Sequence, residues 1–190
     1  RYVENIHDYS EKKRRVREIS EKVAARFTER EIIVSVNAAD DEANESVFLT
    51  VTGTSAEAGD DGEAGRGNRT NGLITPYRPM SMESVAGKNP ISHVGKLYNL
   101  VAGLTAAALV EEISEVTEAQ CYLVSQIGRP INEPQVVDIK LRVRDPALFP
   151  DIRRYAEEIV ADQISRLDLL WSDMLAGRLG FDRWPLAQVR

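Results

Sequence analysis

The stretch VDIKLRVR, Val137 to Arg144, carries the clearest structural signal in the chain. Val137, Ile139, Leu141 and Val143 alternate with Asp138, Lys140, Arg142 and Arg144. Successive side chains of a strand point to opposite faces, so this strand has one apolar and one charged face. A strand wet on one side and packed on the other belongs to an antiparallel sheet covered on one face. Upstream, Cys121-Tyr122-Leu123-Val124 reads as a neighbouring strand. It runs into Ser125-Gln126-Ile127-Gly128, where Gly128 is expected to end it.

Helical periodicity flanks this pair. After Pro146 and Pro150, Ile152, Ile159, Leu167, Trp171 and Leu175 lie on the apolar face of one long helix. Before the pair, Val94, Leu97, Tyr98, Val101, Leu104 and Leu109 form the buried face of another, with Ser92 as its cap. Near the amino end, Asp8-Tyr9-Ser10-Glu11 has the spacing of a capping box. Val16, Ile19, Val23 and Phe27 follow as an apolar stripe, and Lys12, Lys13, Arg14, Arg15 and Arg17 read as the solvated face. The β-branched runs Ile32–Val36 and Val47–Thr52 read as a hairpin joined by the acidic turn Asp40–Glu45. The order is helix, two strands, long loop, helix, two strands, helix. That is an α+β fold, a mostly antiparallel sheet packed against helices. Three segments follow: a helix and hairpin over 1–55, a loop over 56–96, and a helix, two strands and long helix over 97–190.

Composition narrows the function. The 190 residues suffice for one domain or two small ones, and 43% apolar with 28% charged residues is ordinary for a soluble globular chain. No apolar run is long enough to span a bilayer, and no signal-peptide pattern is present, so no membrane partner is expected. A net charge of −6 argues against nucleic-acid binding. Cys121 is the only cysteine, so no internal disulfide can form, which fits a reducing compartment. One Cys and two His cannot close a zinc site. Neither a GxSxG nor a GxxxxGK[ST] motif is found.

The long loop is the chemical feature. It reads GDDGEAGRGNRTNGLITPYRPMSMESVAGKNPISHVGK from Gly59 to Lys96. From Arg66 to Lys96 it holds Arg66, Arg69, Arg78, Lys88 and Lys96 against the single acid Glu83, a local excess of +4 in an acidic chain. Glycines let the backbone approach a ligand, and arginines grip planar anions through paired hydrogen bonds. Together they point to a polyphosphate cradle. Upstream, eight acids lie between Asp40 and Glu63 with no Lys or Arg among them. Acids beside a basic loop can bind a hard cation or the hydroxyls of a nucleoside. A solvated surface loop is the plainer reading of both segments.

The order of residues goes further. GTSAEAGDDGEAGRGNR, NGLITPYRPMSMESVAGKNPISHVGK and SQIGRPINEP closely resemble the archaeal-type S-adenosylmethionine synthetases, or methionine adenosyltransferases. The resemblance runs from about Arg1 into the final helix and corresponds to the carboxy-terminal part of such an enzyme. The chain begins at Arg1 and lacks the family's upstream GHPD-like and GDQG-like elements, so the segment alone is expected to be inactive. The resemblance implies a cytoplasmic enzyme that makes S-adenosylmethionine from ATP and L-methionine with release of phosphate and diphosphate. It also implies Mg2+ and K+ as cofactors and a homodimer with the active site between subunits.

Residue by residue, the resemblance implies polyphosphate contacts from Arg66 and Lys88, with Arg69 or Asn68 standing in for a lysine that bacterial members place after the GR pair. Asp60, with Asp61 beside it, matches the acid that contacts substrate near the ribose and methionine; a turn-capping role is the structural alternative. His93 falls where bacterial members have a second lysine, and is either a hydrogen-bond donor to phosphate or a helix-cap histidine. Gly95 replaces their metal-binding acid, so no metal ligand is carried over. Ile127 matches the isoleucine of the methionine and adenine pocket, with a strand-end core role as its alternative. Lys96, one turn further into the helix, is expected to matter less. A different class of function stays open, a non-catalytic nucleotide- or polyphosphate-binding or dimerisation module.

Overall fold

The computed structural model describes residues 3–49, 85–91 and 93–180. The chain forms two compact units, Arg1–Asp60 with Ile127–Arg129, and Asp61–Gln126 with Pro130–Arg190.

The larger unit contains helix α2 (Val94–Glu112), strands β1 (Val116–Val124) and β2 (Val136–Val143), and helices α3 (Phe149–Ser165) and α4 (Leu170–Leu175). The strands pair antiparallel, with Cys121 opposite Ile139 and Leu123 opposite Val137. The alternation read from β2 sets the faces: Ile139, Leu141 and Val143 pack on the core beside Ala119 of β1. On the other face the Lys140 ammonium lies 4.8 Å from the centre of the Tyr122 ring, and Arg142 pairs with Glu118 at 3.5 Å. The fold is α+β with an antiparallel sheet, as the sequence predicts. β1 begins five residues earlier than its apolar run, because Glu118 and Gln120 follow the ladder although they are polar, with a register shift at Thr117. Cys121 sits within β1, where burial and the nearby Asp138 carboxylate push its thiol up to about 12.

Two apolar clusters stabilise this unit. The first joins Val85, Leu97, Tyr98, Leu100 and Val101 to Leu167, Leu170 and Leu179. The second joins Leu109, Ile113 and Val116 to Ile152, Ala156, Ile159 and Val160 of α3. Each fully buried leucine contributes roughly 1.5–3 kcal/mol relative to an exposed one. The single long carboxy-terminal helix is corrected: α3 stops at Ser165, and a 3-10 turn at Leu167–Leu169 precedes α4. The interruption lets Leu167 and Leu170 enter the first cluster while Ile152 and Ile159 stay in the second. Tyr98 adds a polar tie, its hydroxyl donating to the Ile131 carbonyl at 2.8 Å.

The smaller unit is built on helix α1 (Ile6–Ala24). Its cap is Asn5, three residues before the expected Asp8: Asn5 Oδ1 accepts from the Asp8 amide at 2.9 Å, and Asp8 Oδ2 accepts from the Glu4 amide at 3.1 Å. The expected packing face is also corrected. Val16, Ile19 and Val23 are about half exposed, and Phe27 lies beyond the helix end at 84% exposure. The packed face carries Tyr9, Ser10 and Lys13 instead. Tyr9 donates to Asp40 Oδ2 at 2.7 Å and accepts from Asn37 Nδ2 at 2.7 Å. Lys13 donates to the same Asp40 oxygen at 2.8 Å, and the Phe48 amide donates to Asp40 Oδ1 at 2.9 Å. Lys13 is therefore no solvated charge. The hairpin turn is present as an antiparallel bridge between Asp41 and Ser46 around a 3-10 turn at Glu42–Asn44. Among the described residues no strand forms over 32–36, and Ile33 is 88% exposed. A β-branched run gains little from extension unless a face is covered.

Burial alone raises the Asp40 carboxyl, but hydrogen bonds from Lys13, the Phe48 amide and Tyr9 outweigh it and hold the group below its ordinary 3.8. A depressed folded-state pKa adds stability that is present above the ordinary value and lost as pH falls through the folded one. The unfolding free energy is thus expected to fall below about pH 4, and Asp40→Asn to flatten that fall. Lys13→Ala, which strips the cation from a carboxylate 3% exposed, is expected to cost roughly 1–3 kcal/mol. Denaturant midpoints measure both. An unchanged midpoint in Lys13→Ala would reduce the pair to a surface contact.

Candidate functional site

The described part of the basic loop, residues 85–91, leads into the first turn of α2. Val85 anchors it, with no exposed surface and a place in the first cluster. Gly87 turns the backbone through a left-handed conformation at φ 77°, which glycine adopts without strain, and Lys88 follows, half-buried. Asn89 then shapes the approach: its Oδ1 accepts from the Ile91 amide at 2.8 Å and its carbonyl from the His93 amide at 3.3 Å.

His93, exposed, is the N-cap of α2. The expected cap Ser92 lies outside the described residues. His93 Nδ1 accepts from the Gly95 amide at 3.0 Å. Its carbonyl accepts from the Lys96 and Leu97 amides at 3.0 and 3.2 Å. A nitrogen that accepts carries a lone pair, so the neutral ring has its proton on Nε2. The two readings of His93 are thereby compatible. One ring nitrogen caps the helix while the other remains a donor.

Lys96 lies deeper than its place one turn past the cap suggests. It is only 4% exposed. Burial, and after it the charge of Lys88, lowers its pKa from the ordinary 10.5. A signal was available. Lys96 precedes Leu97 and lies four residues before Leu100, and both leucines are buried. The buried arc of α2 is therefore wider than a single apolar stripe, and Lys96 falls inside it.

Of the residues predicted from sequence, Lys88 lies on the approach to this turn and His93 caps it. Ile127 belongs to the smaller unit and is 75% exposed, which removes its alternative as a core residue. Next to it Gly128, at φ 80°, places its Cα where a Cβ would come within 2.5 Å of the Ala38 carbonyl oxygen. Asp60, Asp61, Arg66 and Arg69 lie outside the described residues, as do most of the loop and the tail 181–190. The acids of the 40–45 turn are engaged within their own unit: Asp40 by Lys13 and Tyr9, Asp41 by Asn44, and Glu42 by Ser10 and Lys13. The cation-binding reading of these three is not supported. Among the described residues no group of three or more His, Cys, Asp or Glu is placed to hold a metal ion. No described helix is long and apolar enough to cross a membrane.

Known proteins resemble this chain along nearly its whole length. The S-adenosylmethionine synthetase (AdoMet synthetase) family profile matches residues 1–178. A probable S-adenosylmethionine synthase of Aquifex aeolicus is 56% identical over 177 residues, covering 92% of this chain and 43% of the relative. The S-adenosylmethionine synthase of Haloquadratum walsbyi is 47% identical over 179 residues, covering 92% of this chain and 45% of the relative. That of Archaeoglobus fulgidus is 45% identical over 179 residues, covering 94% and 45%. The chain thus spans a little under half the length of these relatives.

The capping role of His93 predicts a split between two substitutions. Serine can accept from the same amide, so His93→Ser should melt like the parent. His93→Ala should lose about 1 kcal/mol of stability. Thermal unfolding of the two variants checks this, and equal melting of His93→Ala and the parent would show that the cap contributes nothing.

Proposed function

Because the chain belongs to the S-adenosylmethionine synthetase family, we propose that it supplies part of an active site that makes S-adenosylmethionine from ATP and L-methionine. The observation that carries this reading is the 56% identity over 177 residues to a protein named as a probable S-adenosylmethionine synthase. The methionine sulfur lone pair forms a bond to C5′ of ATP, and the C5′–O bond breaks. The electron pair leaves with tripolyphosphate, and the sulfur becomes a sulfonium. A neutral thioether needs no general base. Water then cleaves tripolyphosphate to phosphate and diphosphate.

Such a displacement depends on alignment and on positive charge at the departing oxygens. Lys88 and Arg66 are assigned to the polyphosphate, and the Nε2–H of His93 to a hydrogen bond with it. Arg69 joins them, while Asp60, Asp61 and Ile127 face the adenosine and methionine. The family is metal-dependent, and Mg2+, with K+, neutralises polyphosphate charge when bound. No metal ligand is assigned among the described residues, whose acids form no such group. A homodimer, with the site completed across subunits in the cytoplasm, is the assembly that this reading favours.

The test joins this chain to the remaining part of the Aquifex aeolicus relative and follows S-adenosylmethionine by mass spectrometry with ATP, methionine, Mg2+ and K+. The joined protein should turn over, and the chain alone should not. In the joined protein, Arg66→Ala and Lys88→Ala should each lower kcat by about 10²–10³, with melting changed by less than about 0.5 kcal/mol. If both variants keep kcat within a few-fold of the parent, their assignment to the leaving group is wrong.

A further inference from the structure

Ile127 is a large apolar side chain left exposed on a turn, and Gly128 follows it in the left-handed region at φ 80°. Both belong to the smaller unit. What fastens them there is Ala38. A Cβ on Gly128 would meet the Ala38 carbonyl oxygen at 2.5 Å, its carbon at 3.0 Å and the Ala39 nitrogen at 3.5 Å. All three atoms are backbone, so none can rotate aside as the end of a flexible side chain could.

The Ala38–Ala39 pair is in turn held from both sides by one phenol. Asn37 precedes the pair in a left-handed conformation at φ 48°, which asparagine tolerates better than most residues. Asp40 follows the pair, and its amide donates to the Asn37 carbonyl at 3.1 Å. The Tyr9 hydroxyl accepts from Asn37 Nδ2 and donates to Asp40 Oδ2, both at 2.7 Å. Tyr9 is buried, so that hydroxyl has a fixed place. A continuous path of direct contacts thus runs from Tyr9 through Asn37 and Asp40 to the Ala38 carbonyl, and from there to Gly128 beside Ile127.

We propose that Tyr9, Asn37, Asp40 and Gly128 are positioning residues for Ile127, and that through it they set how well the site holds the apolar part of methionine. An apolar wall works only when placed to within a fraction of an ångström, and a misplacement of about 1 Å can cost on the order of 10²-fold in rate. This inference rests on the reading of Ile127 as a residue that faces methionine and adenosine.

The joined protein described above tests it, with initial rates measured against methionine at saturating ATP. Ile127→Ala should lower kcat/KM for methionine, chiefly through KM. Gly128→Ala should lower it roughly 10- to 100-fold. Tyr9→Phe keeps the ring but loses both hydrogen bonds, and should lower it roughly 3- to 10-fold. It keeps the test decisive if Gly128→Ala fails to fold. Hydrolysis of added tripolyphosphate should stay within about two-fold of the parent in all three variants, whereas general loss of structure would lower it as well. If the hub acts through Ile127, adding Tyr9→Phe to Ile127→Ala should cost little more than Ile127→Ala alone. If Ile127→Ala raises KM while Gly128→Ala and Tyr9→Phe do not, the reading of Ile127 stands and the positioning role falls. That role falls equally if the effects of Tyr9→Phe and Ile127→Ala multiply in full, or if tripolyphosphate hydrolysis declines in step with kcat/KM. If Ile127→Ala leaves KM for methionine unchanged, both fall together.

Discussion

A helix buried around most of its circumference has only its ends for polar chemistry, and α2 is in that position. Leu97, Leu100 and Val101 commit its first half to one apolar cluster, and Leu109 commits its second half to another. Val85 enters the first of these clusters from the loop. The same burial that fixes the helix therefore fixes the approach of residues 85–91. Lys88 is carried on a segment whose path is set by one core side chain, one left-handed glycine and the Asn89 hydrogen bonds. The path of the polar turn is set by the apolar contacts around it.

The smaller unit reaches definition by a different route. Its hub is a carboxylate. Asp40 collects an ammonium, a phenol and a backbone amide, and so ties α1 to the segments on both sides of the acidic turn. Satisfied charges of this kind add little net stability compared with apolar packing, since desolvation offsets most of the attraction. What they do supply is geometry, because few arrangements satisfy all the donors at once. The unit can therefore have a defined fold around Tyr9 while Val16, Ile19 and Val23 remain about half exposed.

The parts legible in the sequence were those in which a local pattern and a tertiary demand coincide. The alternation from Val137 to Val143 was one, and the face of α2 through Leu97, Val101 and Leu109 was another. Where two local signals competed, periodicity could not arbitrate. Asn5 and Asp8 are both capping residues, and the earlier one won with the later as its reciprocal partner. The break after Ser165 has no glycine or proline to announce it, because it is set by which cluster Leu167 joins. Lys13 looked like one member of a solvated run, since nothing local shows that Asp40 waits across the turn. At the site, residue order identified the family and singled out Lys88 and His93. The tautomer of His93 and the burial of Lys96 depend on how α2 sits in its surroundings, which spacing does not encode.

Cys121 has a practical consequence. With its thiol pushed up to about 12, only about one molecule in 10⁵ carries the thiolate at pH 7. Maleimides and disulfide exchangers react with that form, so the native side chain is nearly silent toward them. Labelling at neutral pH is therefore expected to bypass Cys121. A thiol engineered onto a surface position of each unit would then report its own chemistry, and two dyes could gauge the spacing between the units without first replacing Cys121 of β1.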